Sequence, residues 1–193
     1  MLIPMSDYIN TRLFYFSIFL ICAVLLGFGL YLEHGKGLEP CPLCVFQRIA
    51  FISVAVIALI ATLHRPGRIA IWFYSGLISI SALIGGAIAS RQVWLQHLPP
   101  ERVPECGPGL DYMLEVFPLG QALKMILSGS GECAEVDWSF LGFSIAEWSL
   151  LWFLMFFISG LVSIFSLKKT RTYLNIPHGR DSGVCGGSAR SEE

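Results

Sequence analysis

Four runs of uncharged, mostly apolar residues constrain what this chain can fold into. Leu13 to Leu32, Ile49 to Leu63 and Ile69 to Ser90 carry no charge, and Ile145 to Leu167 carries one acid, Glu147, near its start. A helix needs roughly 20 residues to cross a hydrocarbon core. Three runs reach that length outright. The second does so if it begins near Val45, which leaves Arg48 near its end and within snorkelling reach of the interface. Only 14% of the 193 residues are charged, against about 25% in a soluble domain. The expected spans are about 13–32, 45–63, 69–90 and 145–167. The first is too long for the core of a signal peptide, and no small-residue cleavage site follows it. One membrane domain of about 12–167 is expected, then a cytoplasmic tail, 168–193, whose Gly-, Ser- and charge-rich stretch from Asn175 predicts disorder.

Orientation follows from the basic residues. Arg12, Arg65, Arg68, Lys168, Lys169 and Arg171 fall on one side of the four spans. The opposite side holds the 33–44 loop and the long 91–144 loop, which are mainly acidic. Lys and Arg in short loops favour the cytoplasm. The expectation is therefore an all-α membrane protein, a four-transmembrane-helix bundle with two periplasmic loops and both termini cytoplasmic. The net charge of −1 adds nothing beyond this asymmetry.

Six cysteines sort by that topology. Cys41, Cys44, Cys106 and Cys133 fall outside, where disulfides persist. Cys22 lies mid-span in apolar surroundings, and Cys185 lies in the tail. The sharpest signal is Pro40-Cys41-Pro42-Leu43-Cys44 at the mouth of the second span. A helix N-terminus offers unpaired N–H groups and partial positive charge, which favour a thiolate. Arg48, four residues on, shares the helix face of Cys44. The thiolate is the nucleophile in exchange chemistry, so Cys44 reads as an activated sulfur at headgroup depth, within reach of an oxidant dissolved in lipid.

Other readings compete. A CxxC is also half of a zinc site, but Cys106 and Cys133 do not form the closely spaced second pair that such sites use. An inert bridge across two residues constrains little chain entropy. Arg48 alone also fits an interfacial anchor. Cys106, in the turn Pro104-Glu105-Cys106-Gly107-Pro108, and Cys133, in Gly131-Glu132-Cys133-Ala134, fit a structural disulfide or the first half of a relay. Between them, Tyr112 to Leu127 reads as short amphipathic pieces on the membrane surface. Trp138, Trp148 and Trp152 suit the interface. Ser81, Gly85 and Ala89 put small residues on one face of the third span, which permits close helix packing. Glu147 reads as interfacial, with a proton relay as the lesser alternative. The four histidines form no ligand spacing, and no metal site is expected.

The four spans, Pro-Cys-x-x-Cys followed by Gln47-Arg48, the stretch Arg91-Gln92-Val93-Trp94-Leu95-Gln96, and Gly131-Glu132-Cys133-Ala134 with Trp138 together resemble the DsbB family over about 12–167. The resemblance implies an inner-membrane oxidoreductase that reoxidises a periplasmic DsbA-like thiol oxidase. Electrons would pass to a membrane quinone, ubiquinone or menaquinone, and reach respiratory oxidases only indirectly. It implies that Cys106 forms the mixed disulfide with the partner, that Cys133 resolves it and exchanges with Cys41, and that Cys44 faces the quinone with Arg48 polarising it. Arg91 stands where some members have histidine, and a place near the quinone is expected for it. The lipid bilayer is the setting, and no nucleic acid is involved. The alternatives are a related membrane thiol oxidase with a dedicated partner other than DsbA, and a non-enzymatic metal-binding membrane protein.

Overall fold

A backbone N–H or C=O without a partner costs several kcal/mol in hydrocarbon, so each apolar run closes its hydrogen bonds within itself. The computed structural model shows four long helices: α1, Met5–Lys36; α2, Pro42–His64; α3, Arg68–Gln96; and α4, Ile145–Leu174. It describes residues 5–37, 40–64, 66–103, 131–134, 136 and 138–174, with positions 116, 118, 120–121, 126 and 129 between them. The parts long and apolar enough to cross a membrane are Thr11–Lys36, Pro42–His64, Ile69–Gln96 and Ile145–Phe165. The shortest has 21 residues, about 32 Å of helix and enough for a hydrocarbon core. The chain is a four-span membrane bundle.

The helices outrun the apolar runs, because extending an existing helix adds one bond for each residue fixed. α1 continues past Leu32 to Lys36 and α3 past Ser90 to Gln96, which places Glu33, Arg91, Gln92 and Gln96 on helices. α2 starts at Pro42, ahead of the expected Val45, because proline suits the first helical position. α4 continues through the expected tail boundary to Leu174, and residues 175–193 lie outside the described residues.

Each helix packs against the next in sequence, α1 on α2, α2 on α3 and α3 on α4. Tyr15, Ile18, Cys22, Val54, Ala58, Ile78 and Phe153 lie in the core, while Leu20, Val24, Ile52, Val56, Leu83, Leu154 and Ile158 face outward. So much outward apolar surface fits a lipid environment. Cys22 sits within the core cluster, as its apolar surroundings predict. Of the small-residue stripe, Gly85 makes the closest approach. A Cβ there would run into the Phe153 ring of α4 and lie 2.9 Å from Ala50 of α2. Gly160 plays the same part from α4, where a Cβ would meet Ser79 and the Ser75 carbonyl.

Before α4 the chain makes a small hairpin absent from the all-helical expectation. Strands β1, Ser139–Phe140, and β2, Phe143–Ser144, pair antiparallel with Phe140 opposite Phe143. Both turn residues have positive φ, 54° at Leu141 and 84° at Gly142, as a tight two-residue hairpin turn requires. Ser144 and Glu147 then form a capping box. The Ser144 N–H donates to Glu147 Oε2 at 2.7 Å, and the Glu147 N–H donates to Ser144 Oγ at 3.3 Å. Glu147 therefore has a structural task at the head of α4. Ser144 Oγ also donates to Gln96 Oε1 at 2.8 Å, tying α4 to α3. Ser144→Ala is expected to lower stability by about 1–2 kcal/mol, read as an earlier unfolding midpoint in detergent, whereas an unchanged midpoint contradicts the assignment.

Candidate functional site

The site lies where α1 and α3 end and α2 and α4 begin. Cys41 is the N-cap of α2 and Pro42 its first helical residue. The Val45 N–H donates to the Cys41 carbonyl at 3.2 Å, and the Cys44 N–H donates to Cys41 Sγ at 3.3 Å. The cap position thus has a sulfur where helices usually carry an oxygen. The same turn brings the two sulfurs of the CxxC to 2.7 Å.

Cys133 arrives from the other end of the long loop. A 3₁₀ turn, Gly131–Cys133, closed by the Ala134 N–H on the Gly131 carbonyl at 3.0 Å, packs on α2 and α3. Its cysteine is fully buried in one apolar cluster with Cys41, Leu43 and Leu95. The Cys41 thiol is pushed well above its ordinary range, first by its hydrogen bond with Cys133, then by Cys44, and also by burial. Cys41 is the middle member, with a cysteine on either side. Cys106 lies outside the described residues.

Two glutamines stand beside the sulfurs, one touching them and one holding the first. Gln92 of α3 donates from Nε2 to Cys44 Sγ at 3.2 Å and to Cys41 Sγ at 3.4 Å. Gln47 of α2 donates from Nε2 to Gln92 Oε1 at 2.7 Å. Both side chains are buried. Neither stood out as a site residue in the sequence, although an amide inside a membrane span needs a partner and is itself a signal.

Arg48 forms an ion pair with Glu33 of α1 and donates to the Gly29 carbonyl at 3.3 Å. These two partners are on α1, while its side chain lines the same cavity as Cys44. Glu33 follows the first apolar run directly, and the extension of α1 turns it from a loop acid into the partner of Arg48. Arg91 lies one position before Gln92, with its guanidinium 4.3 Å from the centre of the Trp94 ring. On α3 it is Gln92 whose amide donates to the sulfurs.

A cavity of about 510 Å³ opens beside Cys44. Leu25, Phe28, Phe51, Trp148 and Trp152 form part of its apolar wall, and Cys41, Cys44, Gln47, Arg48 and Gln92 form its polar end. Trp138 also lines it, stacked on Phe140 and edge-on to Phe28. The tryptophans expected at the interface therefore wall the site as well. Apolar walls around a few convergent polar groups are the usual build of a small-molecule site.

Known proteins of one family match most of the chain. The family model for "Disulfide bond formation protein DsbB" matches residues 11–163. The chain is 56% identical over 142 residues to the disulfide bond formation protein B of Azoarcus sp. (strain BH72), covering 74% of this chain and 85% of that protein. It is 50% identical over 152 residues to that of Hahella chejuensis, covering 79% and 92%. It is 43% identical over 165 residues to that of Marinobacter nauticus, covering 86% and 98%. With paired cysteines at the mouth of a four-span bundle and a family match over most of its length, the chain belongs to the DsbB family of membrane oxidoreductases that form disulfide bonds.

Proposed function

We propose that this chain takes electrons from a DsbA-type, thioredoxin-like dithiol protein in the periplasm and passes them to a quinone, ubiquinone or menaquinone, in the bacterial inner membrane. Both termini then face the cytoplasm. The observation that carries this reading is Cys41 standing between Cys44, at 2.7 Å, and the Cys133 thiol, beside an apolar cavity.

The residues fit a quinone as electron acceptor. A flat apolar ring with carbonyl oxygens matches aromatic walls ending in N–H donors, and the cavity volume is in the range of small-ligand sites. Arg48 would hold a carbonyl oxygen, while Arg91 stays near the rim as a cation at headgroup depth. When bound, the quinone accepts two electrons and two protons and leaves as quinol.

The thiol steps balance without another reagent. The Cys106–Cys133 disulfide exchanges with the partner's dithiol, so the partner is oxidised and Cys106 and Cys133 become thiols. The Cys133 thiolate attacks Sγ of Cys41 in the Cys41–Cys44 disulfide and releases Cys44 as a thiolate. Cys106 attacks Cys133, which re-forms the first disulfide and frees Cys41. The Cys41–Cys44 dithiol then gives two electrons and two protons to the acceptor and closes as a disulfide.

Trapping tests the order. Full-length Cys133→Ser in lipid nanodiscs, given a DsbA-type partner in its oxidised form, is expected to accumulate a mixed disulfide, because the Cys106 thiolate opens the partner's disulfide and no Cys133 remains to resolve it; it is seen as a reducible band. The Cys106→Ser, Cys133→Ser double variant is expected to show none. A band that survives in the double variant, or that never forms in the single one, contradicts the assignment.

A further inference from the structure

Gln47 and Gln92 are 3% and 4% exposed. Buried amides are costly unless their polar atoms find partners, and here Gln47 bonds Gln92 while Gln92 bonds the two redox sulfurs. A side-chain amide has a donor end and an acceptor end. Gln47 Nε2 donates to Gln92 Oε1 at 2.7 Å, which fixes the way the second amide faces. With its oxygen held from α2, Gln92 turns its NH₂ group to Cys44 at 3.2 Å and Cys41 at 3.4 Å. The S–H of Cys44 reaches the same Oε1 only at 3.6 Å, so the closer contact is the one that serves a thiolate. A donor aimed at a sulfur favours the ionised form, and does so more strongly where the local dielectric is low.

We propose that Gln92 is a catalytic residue that holds Cys44 in its reactive thiolate form, and that Gln47 is a positioning residue that locks the Gln92 amide in its donating orientation. The proposal rests on the reading of Cys44 as the electron-donating sulfur. Gln47 acts only through Gln92. Rotating the Gln92 amide by half a turn would put its oxygen against the sulfurs and oppose the thiolate, and the bond from Gln47 opposes that rotation.

The test is the pH profile of Cys44 alkylation in the reduced full-length protein in nanodiscs, without any quinone, read by tandem mass spectrometry of the Cys41–Cys44 peptide. Gln92→Leu is expected to slow Cys44 alkylation at pH 7 roughly tenfold and move the profile midpoint up, the scale of one lost charge-assisted hydrogen bond. Gln47→Leu is expected to slow it by a smaller factor, roughly threefold. In the Gln92→Leu background, Gln47→Leu is expected to add nothing, because its route is gone. Coincident profiles for wild type and Gln92→Leu overturn the proposal. So does a further slowing by Gln47→Leu in the double variant, which marks a merely structural role. Wild-type protein with ¹⁵N-labelled glutamine supplies a measurement independent of whether variants fold. The Gln92 side-chain NH₂ signals are expected to shift at the Cys44 alkylation midpoint, and signals that stay fixed through it overturn the proposal. Failure of wild type to reduce quinone leaves these readouts intact and counts against the oxidase reading instead.

Discussion

Cys44→Ser is expected to lower quinone-dependent oxidation of a reduced DsbA-type partner by about a thousandfold or more, the scale of losing a reacting nucleophile. An alcohol at this position cannot close a disulfide with Cys41, so the dithiol that would deliver two electrons is absent. The Cys106–Cys133 pair remains, and the variant is expected to oxidise about one equivalent of partner per chain and then stop. Counting partner thiols against time in nanodiscs, with and without quinone, separates this single equivalent from turnover. Cys22→Ser is the matched control, because Cys22 lies in the core cluster, outside the redox site, and its rate is expected to equal wild type. Sustained turnover by Cys44→Ser would remove Cys44 from the electron path.

The second large effect is structural. Gly85→Leu places a branched side chain where the Phe153 ring and Ala50 already fill the space. The contact joins α2, α3 and α4, so relief requires a helix to move. Overpacking of this kind costs about 3 kcal/mol or more, roughly a 10 °C fall in the unfolding midpoint for a chain of this size. Gly85→Ala is expected to show a smaller fall in the same direction. Phe153→Ala in the Gly85→Leu background is expected to recover part of the loss by vacating the space. An unchanged midpoint for Gly85→Leu would mean that the three helices do not meet there. Gln92 stands about two turns further along α3, so displacement of that helix also disturbs the amide that touches the sulfurs.

Much of the fold was legible because lipid leaves few options. A run without charge, long enough to span, forms a helix whatever its finer pattern, and basic residues at one end of the runs suggest their direction. Cys44 was legible for a local reason, since a CxxC with proline between its cysteines at the head of a span describes a helix start. Other features depend on contacts between distant parts of the chain. Nothing in the spacing brings Cys133 beside Cys41, and only family resemblance raised that pairing. Glu33 read as a loop acid because the apolar run ends at Leu32, and the extra turn of α1 was needed to pair it with Arg48. Gln92 was overshadowed by its charged neighbour Arg91, although one step along a helix turns a side chain by about 100°. The Leu141–Gly142 hairpin escaped notice because leucine seldom adopts positive φ.

The middle place of Cys41 has a consequence for traffic through the site. A sulfur atom can belong to one disulfide at a time, so a bond from Cys41 to Cys133 and a bond from Cys41 to Cys44 exclude each other. In the proposed relay the cluster would work as a turnstile. With Cys41 joined to the loop, Cys44 would stand open toward the cavity, and closure of Cys41 on Cys44 would release the loop cysteine. Because both partners compete for one atom, the loop and the cavity cannot both hold Cys41 at the same moment, and in the proposed relay passage between them would be single file.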